Sequence, residues 1–250
     1  MCIAAIAWNA HPRWRLLVAA NRDEFHARPA APLARWDDAP EVVAGRDLKG
    51  GGTWLGVHDA GRMVLVTNFR VPGYPKPDRP SRGGLVTGLL NGLPPETINL
   101  APYNPFSLLV ANKDRLHLLS NYPEESRIIL PAGVHGLSNG AFANPWPKTR
   151  RLVHEIAQWT AQGSDDFSPL FAALRDESPH DSPGDGPGAG PEPRLSGVFI
   201  ADPVYGTRCS TLVAIGHDGC GQMIERRFDD QGHASGETAI SLNWGMAATD

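Results

Sequence analysis

The apolar residues of this sequence occur in short runs, and run length restricts the fold more than any other feature. The first two runs, at 2–8 and 15–20, are too short for a typical helix, and a polar turn at His11-Pro12 separates them. We therefore predict a hairpin of two buried strands. The same criteria predict further strands at 53–58, 63–69, 107–111, 115–119, 197–201, 208–215 and 222–228, and helices at 84–91, 148–162 and 169–175.

The order of these elements predicts the fold class. Strands come first, a few helices follow, and strands return at the end. This order is typical of an α+β sandwich, with helices packed outside antiparallel sheets. The 250 residues fit one domain, 1–250. Irregular structure is predicted at 21–52, and mobile loops at about 72–82, which holds four prolines, and 178–193, which is rich in Pro, Gly and Asp.

Composition excludes several functional classes. The net charge of −4 does not favour a nucleic-acid partner, because phosphate-binding domains carry a basic excess. No apolar run is long enough for a membrane span, and no charged leader precedes the first run. Three scattered cysteines do not form a disulfide framework and predict free thiols. We expect a cytoplasmic protein, and the sequence does not indicate its oligomeric state.

Cys2 is the first candidate for chemistry. We expect Met1 to be removed, since aminopeptidases accept a small second residue, and this would leave a thiol and an α-amine on one residue. An α-amine has a pKa of about 7.7–8.0, so it can act as the general base for its own thiol. The alternative is a small buried residue that opens a strand, as many free cysteines are.

Four polar residues, Asn21-Arg22-Asp23-Glu24, follow the second predicted strand, next to Cys2 on the first. Arg22 is expected to favour a thiolate by its opposite charge. If the strand continues, Arg22 and Glu24 share one face, and Asn21 and Asp23 share the other. The alternative is a solvated loop with an ion pair that contributes about 0–1 kcal/mol.

Three other motifs lack the surrounding residues that their usual function requires. Gly136–Gly140 fits G-x-S-x-G, but prolines delay the helix that a nucleophile elbow needs. His154-Glu155 begins H-E-x-x-H, but Gln158 replaces the second histidine, so no metal site is predicted. The glycines at 50–52 lack the order of a phosphate-binding loop and predict a turn.

Several motifs occur together in the order found in one family. They are Met1-Cys2-Ile3, Ala19–Phe25, Gly51–Gly56, Val66–Arg70, Arg82-Gly83 with Leu85-Val86, Gly136–Asn139, Pro145–Lys148 and Tyr205–Thr211. The sequence closely resembles the NRDE family, also called the Transport and Golgi organisation 2 family. The resemblance covers nearly the whole chain.

This resemblance implies a four-layer αββα sandwich related to the N-terminal nucleophile hydrolases, among them the cysteine amidases that cleave conjugated bile acids and penicillin V. It implies that Cys2 is the nucleophile. Arg22 would lie beside it, Asn68 would help to form an oxyanion hole, and Asp23 would orient the α-amine. The further site residues that it implies are Asn139 and Arg208 near the nucleophile, and Asn21, Glu24, Trp54 and Arg70 at the substrate. One departure is Phe25, which stands where the amidases have an aspartate three residues after the arginine.

The implied function is hydrolysis of an amide or thioester of an apolar acid, with no cofactor required. The alternative is a non-catalytic protein that binds and traffics haem or a lipid or acyl-CoA ligand, because the family is linked to haem trafficking and lipid homeostasis. Small apolar acyl or haem-like ligands are thus the expected partners.

Overall fold

A computed structural model of the chain describes residues 2–179 and 195–245. The strands are β1 (Cys2–Trp8), β2 (Trp14–Phe25), β3 (Ala30–Trp36), β4 (Ala39–Asp47), β5 (Leu55–His58), β6 (Arg62–Asn68), β7 (Phe106–Ala111), β8 (Leu116–Ser120), β9 (Ser126–Leu130), β10 (Gly133–Leu137), β11 (Tyr205–Gly216), β12 (Cys220–Phe228) and β13 (Ala234–Asn243). The helices are α1 (Arg82–Leu90), α2 (Pro147–Gln162) and α3 (Ser168–Leu174), with a 3-10 turn at Pro95–Thr97.

The strands form two antiparallel sheets. The first sheet has the order β10-β1-β2-β11-β12-β13, and the second has β3-β4-β5-β6-β7-β8-β9. The predicted opening hairpin is therefore confirmed, and β1 and β2 lie in the middle of the first sheet. Their central position explains why both runs are apolar on both faces, since strand side chains alternate between faces and here both faces are covered.

Alternate residues of β1 and β2 build two different cores. Ile6 and Val18 pack against the second sheet, in a cluster that includes Leu65. Ala5 and Ala19 pack against α2 and α3 on the opposite face. A third cluster joins the outer face of the second sheet to Leu85, Val86, Leu89 and Leu90 of α1. The layers are thus helices, sheet, sheet and helix, which confirms the predicted α+β αββα sandwich.

The structure corrects several predicted elements. Residues 21–52 are not a loop, because β2 continues to Phe25, and β3 and β4 follow. Polar residues extend β2 because its end reaches a cavity, and Pro32 is tolerated because β3 is an edge strand. The predicted strand at 197–201 is irregular, and β9, β10 and β13 were not predicted. Most of the predicted loop at 178–193 lies outside the described residues, and the mobility of 72–82 stays a prediction.

Within the described residues, none of the helices combines the length and the apolarity that a membrane crossing requires.

Candidate active site

A cavity of about 920 Å³ opens where strands of the two sheets end together. Cys2 and Arg22 line it from the first sheet, and Asp47 and Asn68 line it from the second. The connection between β6 and α1, around 75–83, forms another wall. This connection includes most of the predicted 72–82 loop.

Thiols and guanidinium groups alternate along one row of the cavity wall. Arg22 on β2 pairs with Cys2 on β1 and with Cys209 on β11, and Cys209 pairs in turn with Arg227 on β12. All four residues line the cavity, because cross-strand partners share one face of a sheet. The predicted proximity of Cys2 and Arg22 in the hairpin is therefore confirmed as a direct cross-strand pair.

Asn139 holds the backbone at the start of β1. Its Oδ1 accepts a hydrogen bond from the nitrogen of Cys2 at 3.1 Å, and its Nδ2 donates to the carbonyl of Asn68 at 2.7 Å. Asn139 is 1% exposed. The residue before it, Ser138, is held by Thr67, whose hydroxyl donates to the Ser138 carbonyl at 2.7 Å. The nucleophile candidate and the oxyanion candidate are thus linked through one buried amide.

The environment of the Cys2 thiol favours the protonated form. Burial raises the pKa of the thiol, and the Asp23 carboxylate raises it further. The positive chain terminus, Arg22 and a backbone hydrogen bond from Asp23 lower the pKa, but they do not outweigh these effects. Arg22 thus favours the thiolate, as expected, but burial outweighs its effect, and a base must take the proton. Burial also raises the pKa of Cys209, well above its ordinary value.

Arg22 is 8% exposed and only loosely paired. Its Nη2 lies 3.9 Å from Asp47 Oδ2 and 4.0 Å from Glu24 Oε2. Arg28 binds Asp47 more closely, at 2.7 Å. The Nη1 of Arg22 has no hydrogen-bond partner among the described residues, so it can donate to a ligand carbonyl or anion.

Four other predicted residues also line the cavity. Asn68 is exposed at the end of β6, and Trp54 is half-buried between two core clusters. Arg208 lines the cavity, but its Nη1 donates to the carbonyls of Phe25, His26 and Arg28 at 3.0–3.1 Å. Arg208 therefore also holds the turn that follows β2. Glu24, which lines the cavity too, lies 3.8 Å from Arg28.

The structure does not bring every predicted residue to the cavity. Asn21 is fully buried on the helix-facing side, where it donates to the carbonyls of Leu174 and Val198 and accepts from Ser210. Its assignment to substrate binding is wrong, because these bonds anchor α3 and the segment before β11. Arg70 is exposed and does not line the cavity, but its backbone nitrogen donates to the Asn139 carbonyl.

Asp23 occupies an intermediate position. It belongs to the cavity wall, but its carboxylate lies on the helix-facing side, where Thr207 donates to Oδ1 at 2.8 Å. Burial raises the pKa of this carboxyl, although Lys148 opposes the rise. Lys148 is itself buried and was not among the predicted site residues.

The charge of the cavity is opposite to the charge of the protein. Four acidic residues line it, against nine basic ones, although the whole chain has a net charge of −4. The basic residues are Arg22, Arg28, Arg46, Lys49, Lys76, Arg79, Arg82, Arg208 and Arg227. This feature is not visible in the sequence, because the residues come from separate segments of the chain and only the fold brings them together.

The remaining chemistry of the site is that of free thiols and amides. Cys2, Cys209 and Cys220 are all unpaired, as the cysteine pattern predicts. Across the parts of the chain that the structure describes, no cluster of three or more His, Cys, Asp or Glu residues is placed to hold a metal ion.

Known structures show which class of fold this is. The chain resembles an N-acylethanolamine-hydrolysing acid amidase orthologue from Caenorhabditis elegans, with a TM-score of 0.52 and 9% identity over 84% of this chain and 92% of that one. It also resembles a mutant of conjugated bile acid hydrolase from Clostridium perfringens, with a TM-score of 0.55 and 9% identity over 97% and 93% of the two chains. The fold is that of the N-terminal nucleophile hydrolases.

Sequence comparison gives the family within that class. The model of the Transport and Golgi organisation 2 family matches residues 1–230. The human Transport and Golgi organization protein 2 homolog is 31% identical over 268 residues, covering 95% of this chain and 97% of the relative. The Drosophila melanogaster protein is 28% identical, covering 90% and 91%. The chain belongs to the Transport and Golgi organisation 2 family.

Proposed function

We propose that this protein is an N-terminal cysteine hydrolase that cleaves an amide or thioester of an apolar acid. One observation carries the proposal: the Cys2 thiol lies in the wall of a large cavity, beside Arg22, while Asn139 holds the nitrogen of the same residue. Removal of Met1 would turn that nitrogen into an α-amine. The similarity to two hydrolase folds supports this scaffold for the reaction.

The proposed reaction begins with a neutral thiol. Cys2 sulfur attacks the substrate carbonyl as its proton passes to the α-amine of the same residue. The side chain of Asn68 and nearby backbone N–H groups would stabilise the oxyanion, an effect whose loss typically costs about 10²–10³ in rate. The amine then returns the proton to the leaving nitrogen or sulfur. Water releases the acid from the thioester on Cys2, and the thiol is restored.

The basic wall supports a substrate that carries a negative charge as well as an apolar acyl group. Arg28 and Arg46 are neutralised by carboxylates at 2.7 Å, whereas Arg82 donates, among the residues that the structure describes, only to the Pro105 carbonyl. Within the same residues, Arg79 donates only to the carbonyls of residues 101 and 103. Guanidinium groups without a carboxylate partner favour binding of carboxylate or phosphate. We therefore expect faster turnover of an anionic thioester than of its neutral analogue.

The test compares Cys2→Ala with Cys220→Ser. The substrates are a dodecanoyl thioester with an anionic leaving group and its uncharged counterpart, and the released acid is measured by chromatography. Cys220 is exposed at the start of β12, so its variant controls for loss of a thiol elsewhere. Cys2→Ala is expected to abolish turnover and keep the fold, while Cys220→Ser keeps both. Undiminished turnover in Cys2→Ala would refute the proposal.

The alternative function is a carrier for haem or for a lipid or acyl-CoA ligand. The cavity volume of about 920 Å³ and its excess of arginines suit a large ligand with carboxylate or phosphate groups, and a cysteine thiolate can ligate haem iron. The carrier hypothesis predicts a Soret shift when haem is titrated at micromolar concentration, without turnover of any acyl substrate. Clear hydrolysis without a Soret shift would remove it.

We infer that the protein works in the cytoplasm. The three free thiols support this location, because reducing compartments preserve thiols.

A further inference from the structure

The first turn of α2 buries a charged side chain close to Cys2. Lys148 is 1% exposed, and its Nζ lies 3.3 Å from the Gly197 carbonyl and 3.5 Å from the Leu195 carbonyl. Both distances are long for an ammonium group, which has three donors. Carbonyl groups alone do not compensate a buried charge, so a charged partner is expected nearby.

Asp23 is an acidic residue that the fold brings into the same buried region. Asp23 is 1% exposed, on the face of β2 that packs towards the helices. Asn21, two residues earlier on the same face, donates to the Val198 carbonyl, which is adjacent to the carbonyl that Lys148 meets. Burial lowers the pKa of Lys148, and Asp23 is the strongest influence in the opposite direction. The two side chains therefore share one buried layer between the first sheet and the segment before β11.

This buried layer lies directly against residue 2. Cys2 pairs with Arg22 on the antiparallel neighbouring strand. The nitrogen of Cys2 therefore lies on the side of the residue that is nearer to Asp23, which follows Arg22 on β2. A backbone hydrogen bond from Asp23 reaches the thiol. Helix α2 is also linked to this region, because Thr149 donates to the Ser138 hydroxyl at 2.8 Å. Ser138 directly precedes Asn139, which accepts the hydrogen bond from the Cys2 nitrogen.

We propose that Lys148 is a positioning residue whose ammonium neutralises the Asp23 carboxylate, so that the amine of residue 2 stays unprotonated and can accept the thiol proton. The inference rests on the proposed function, in which that amine is the base. Without Lys148, the carboxylate of Asp23 would stabilise an ammonium at residue 2 and would oppose the thiolate more strongly. The second effect, together with the loss of a cation that favours the Cys2 thiolate, moves thiolate formation to higher pH. The ammonium offsets part of that shift, because a positive chain terminus lowers the pKa of the thiol.

The other charged groups around Cys2 lie mainly on the cavity side. Arg22 from β2 and Arg82 from α1 each interact favourably with a Cys2 thiolate, and Cys209 from β11 is held neutral by burial. Arg70, after β6, is the further cation that acts on Lys148, and it opposes the charge of that lysine. None of these groups is changed by a substitution at Lys148 or Asp23.

The test measures the rate of Cys2 alkylation by iodoacetamide between pH 5 and pH 10. The protein is the full chain with Met1 removed and Cys220→Ser in the background, and peptide mass spectrometry locates the adduct. Lys148→Met is expected to raise the midpoint of the profile and to slow alkylation at pH 7 by about three- to tenfold. Lys148→Arg keeps the charge and should retain the wild-type midpoint. Asp23→Asn combined with Lys148→Met removes both charges and should return the midpoint towards wild type.

A profile of Lys148→Met that is unchanged in midpoint would overturn the proposal, even if the variant is less stable, because a packing role does not move a titration. If Lys148→Met does not fold, Asp23→Asn decides: its midpoint should equal or fall below the wild-type value, and a higher midpoint would overturn the proposal. The hydrolase hypothesis fails separately, since it depends on turnover in Cys2→Ala and not on alkylation.

Discussion

At the scale of single residues, side chains of the first two strands meet at the cavity only where strand pairing places them on the same face. Cys2 and Arg22 meet because a tight hairpin places β1 and β2 side by side. Asn21 lies next to Arg22 on β2 but points away from the cavity, because neighbouring residues of a strand alternate between faces. The alternation itself was predicted, but the sequence did not say which face borders the cavity.

Asn139 provides a residue-scale prediction. Asn139→Ala removes one hydrogen bond to the Cys2 nitrogen and one to the Asn68 carbonyl, so it should lower the free energy of unfolding by about 1–3 kcal/mol. It should also lower turnover per folded molecule at least tenfold, because a small misplacement of the nucleophile is costly. The measurements are urea unfolding and turnover of the dodecanoyl thioester.

The matched control is Asn121→Ala. Asn121 also uses both ends of its amide, accepting from the Phe106 nitrogen and donating to the carbonyls of Leu100 and Tyr103, but it does not line the cavity. It should lose stability and keep full turnover per folded molecule. Equal losses of turnover in the two variants would show that Asn139 has no special role at the site.

At the scale of elements, strongly patterned segments were predictable. For α2, apolar spacing, Pro147 at its first position and Gly163 in the left-handed conformation at its end define the helix within one residue of its predicted start. The edge strand β13 was missed because its residues alternate between exposed and half-buried over most of its length. The irregular 197–201 segment was mistaken for a strand because tertiary packing buries Val198, Phe199 and Ile200 without ladder pairing.

The packing of α1 against the second sheet gives an element-scale prediction. A Cβ added at Gly52 would lie 2.3 Å from the carbonyl carbon of Gly83 in the first turn of α1. Gly52→Ala must therefore displace the helix that carries Arg82 into the cavity wall, at a cost of about 1–3 kcal/mol in the free energy of unfolding. Thermal or urea unfolding measures the loss.

Gly84→Ala, one residue further along α1, is the control. A Cβ there would meet no atom within 4 Å, so the change should be neutral or should stabilise the helix by up to about 1 kcal/mol. A Gly52→Ala variant as stable as Gly84→Ala would contradict the close approach of the two backbones.

At the scale of the whole molecule, the fold creates a property that composition hides. An acidic chain forms a cavity with more than twice as many basic as acidic residues. The sandwich class was predictable because it follows from element order and from the family resemblance, both of which are linear features. The cavity charge was not, because it depends on which strand ends and which connection meet in space.

The central claim is that Cys2 sulfur forms a covalent acyl intermediate in this cavity. The most direct measurement is mass spectrometry of protein quenched with acid during turnover of the anionic dodecanoyl thioester, followed by peptide mapping. The account predicts one dodecanoyl group on the peptide that begins with Cys2, and none in Cys2→Ala. Hydrolysis without an adduct at Cys2, or an adduct confined to Cys209 or Cys220, would contradict it.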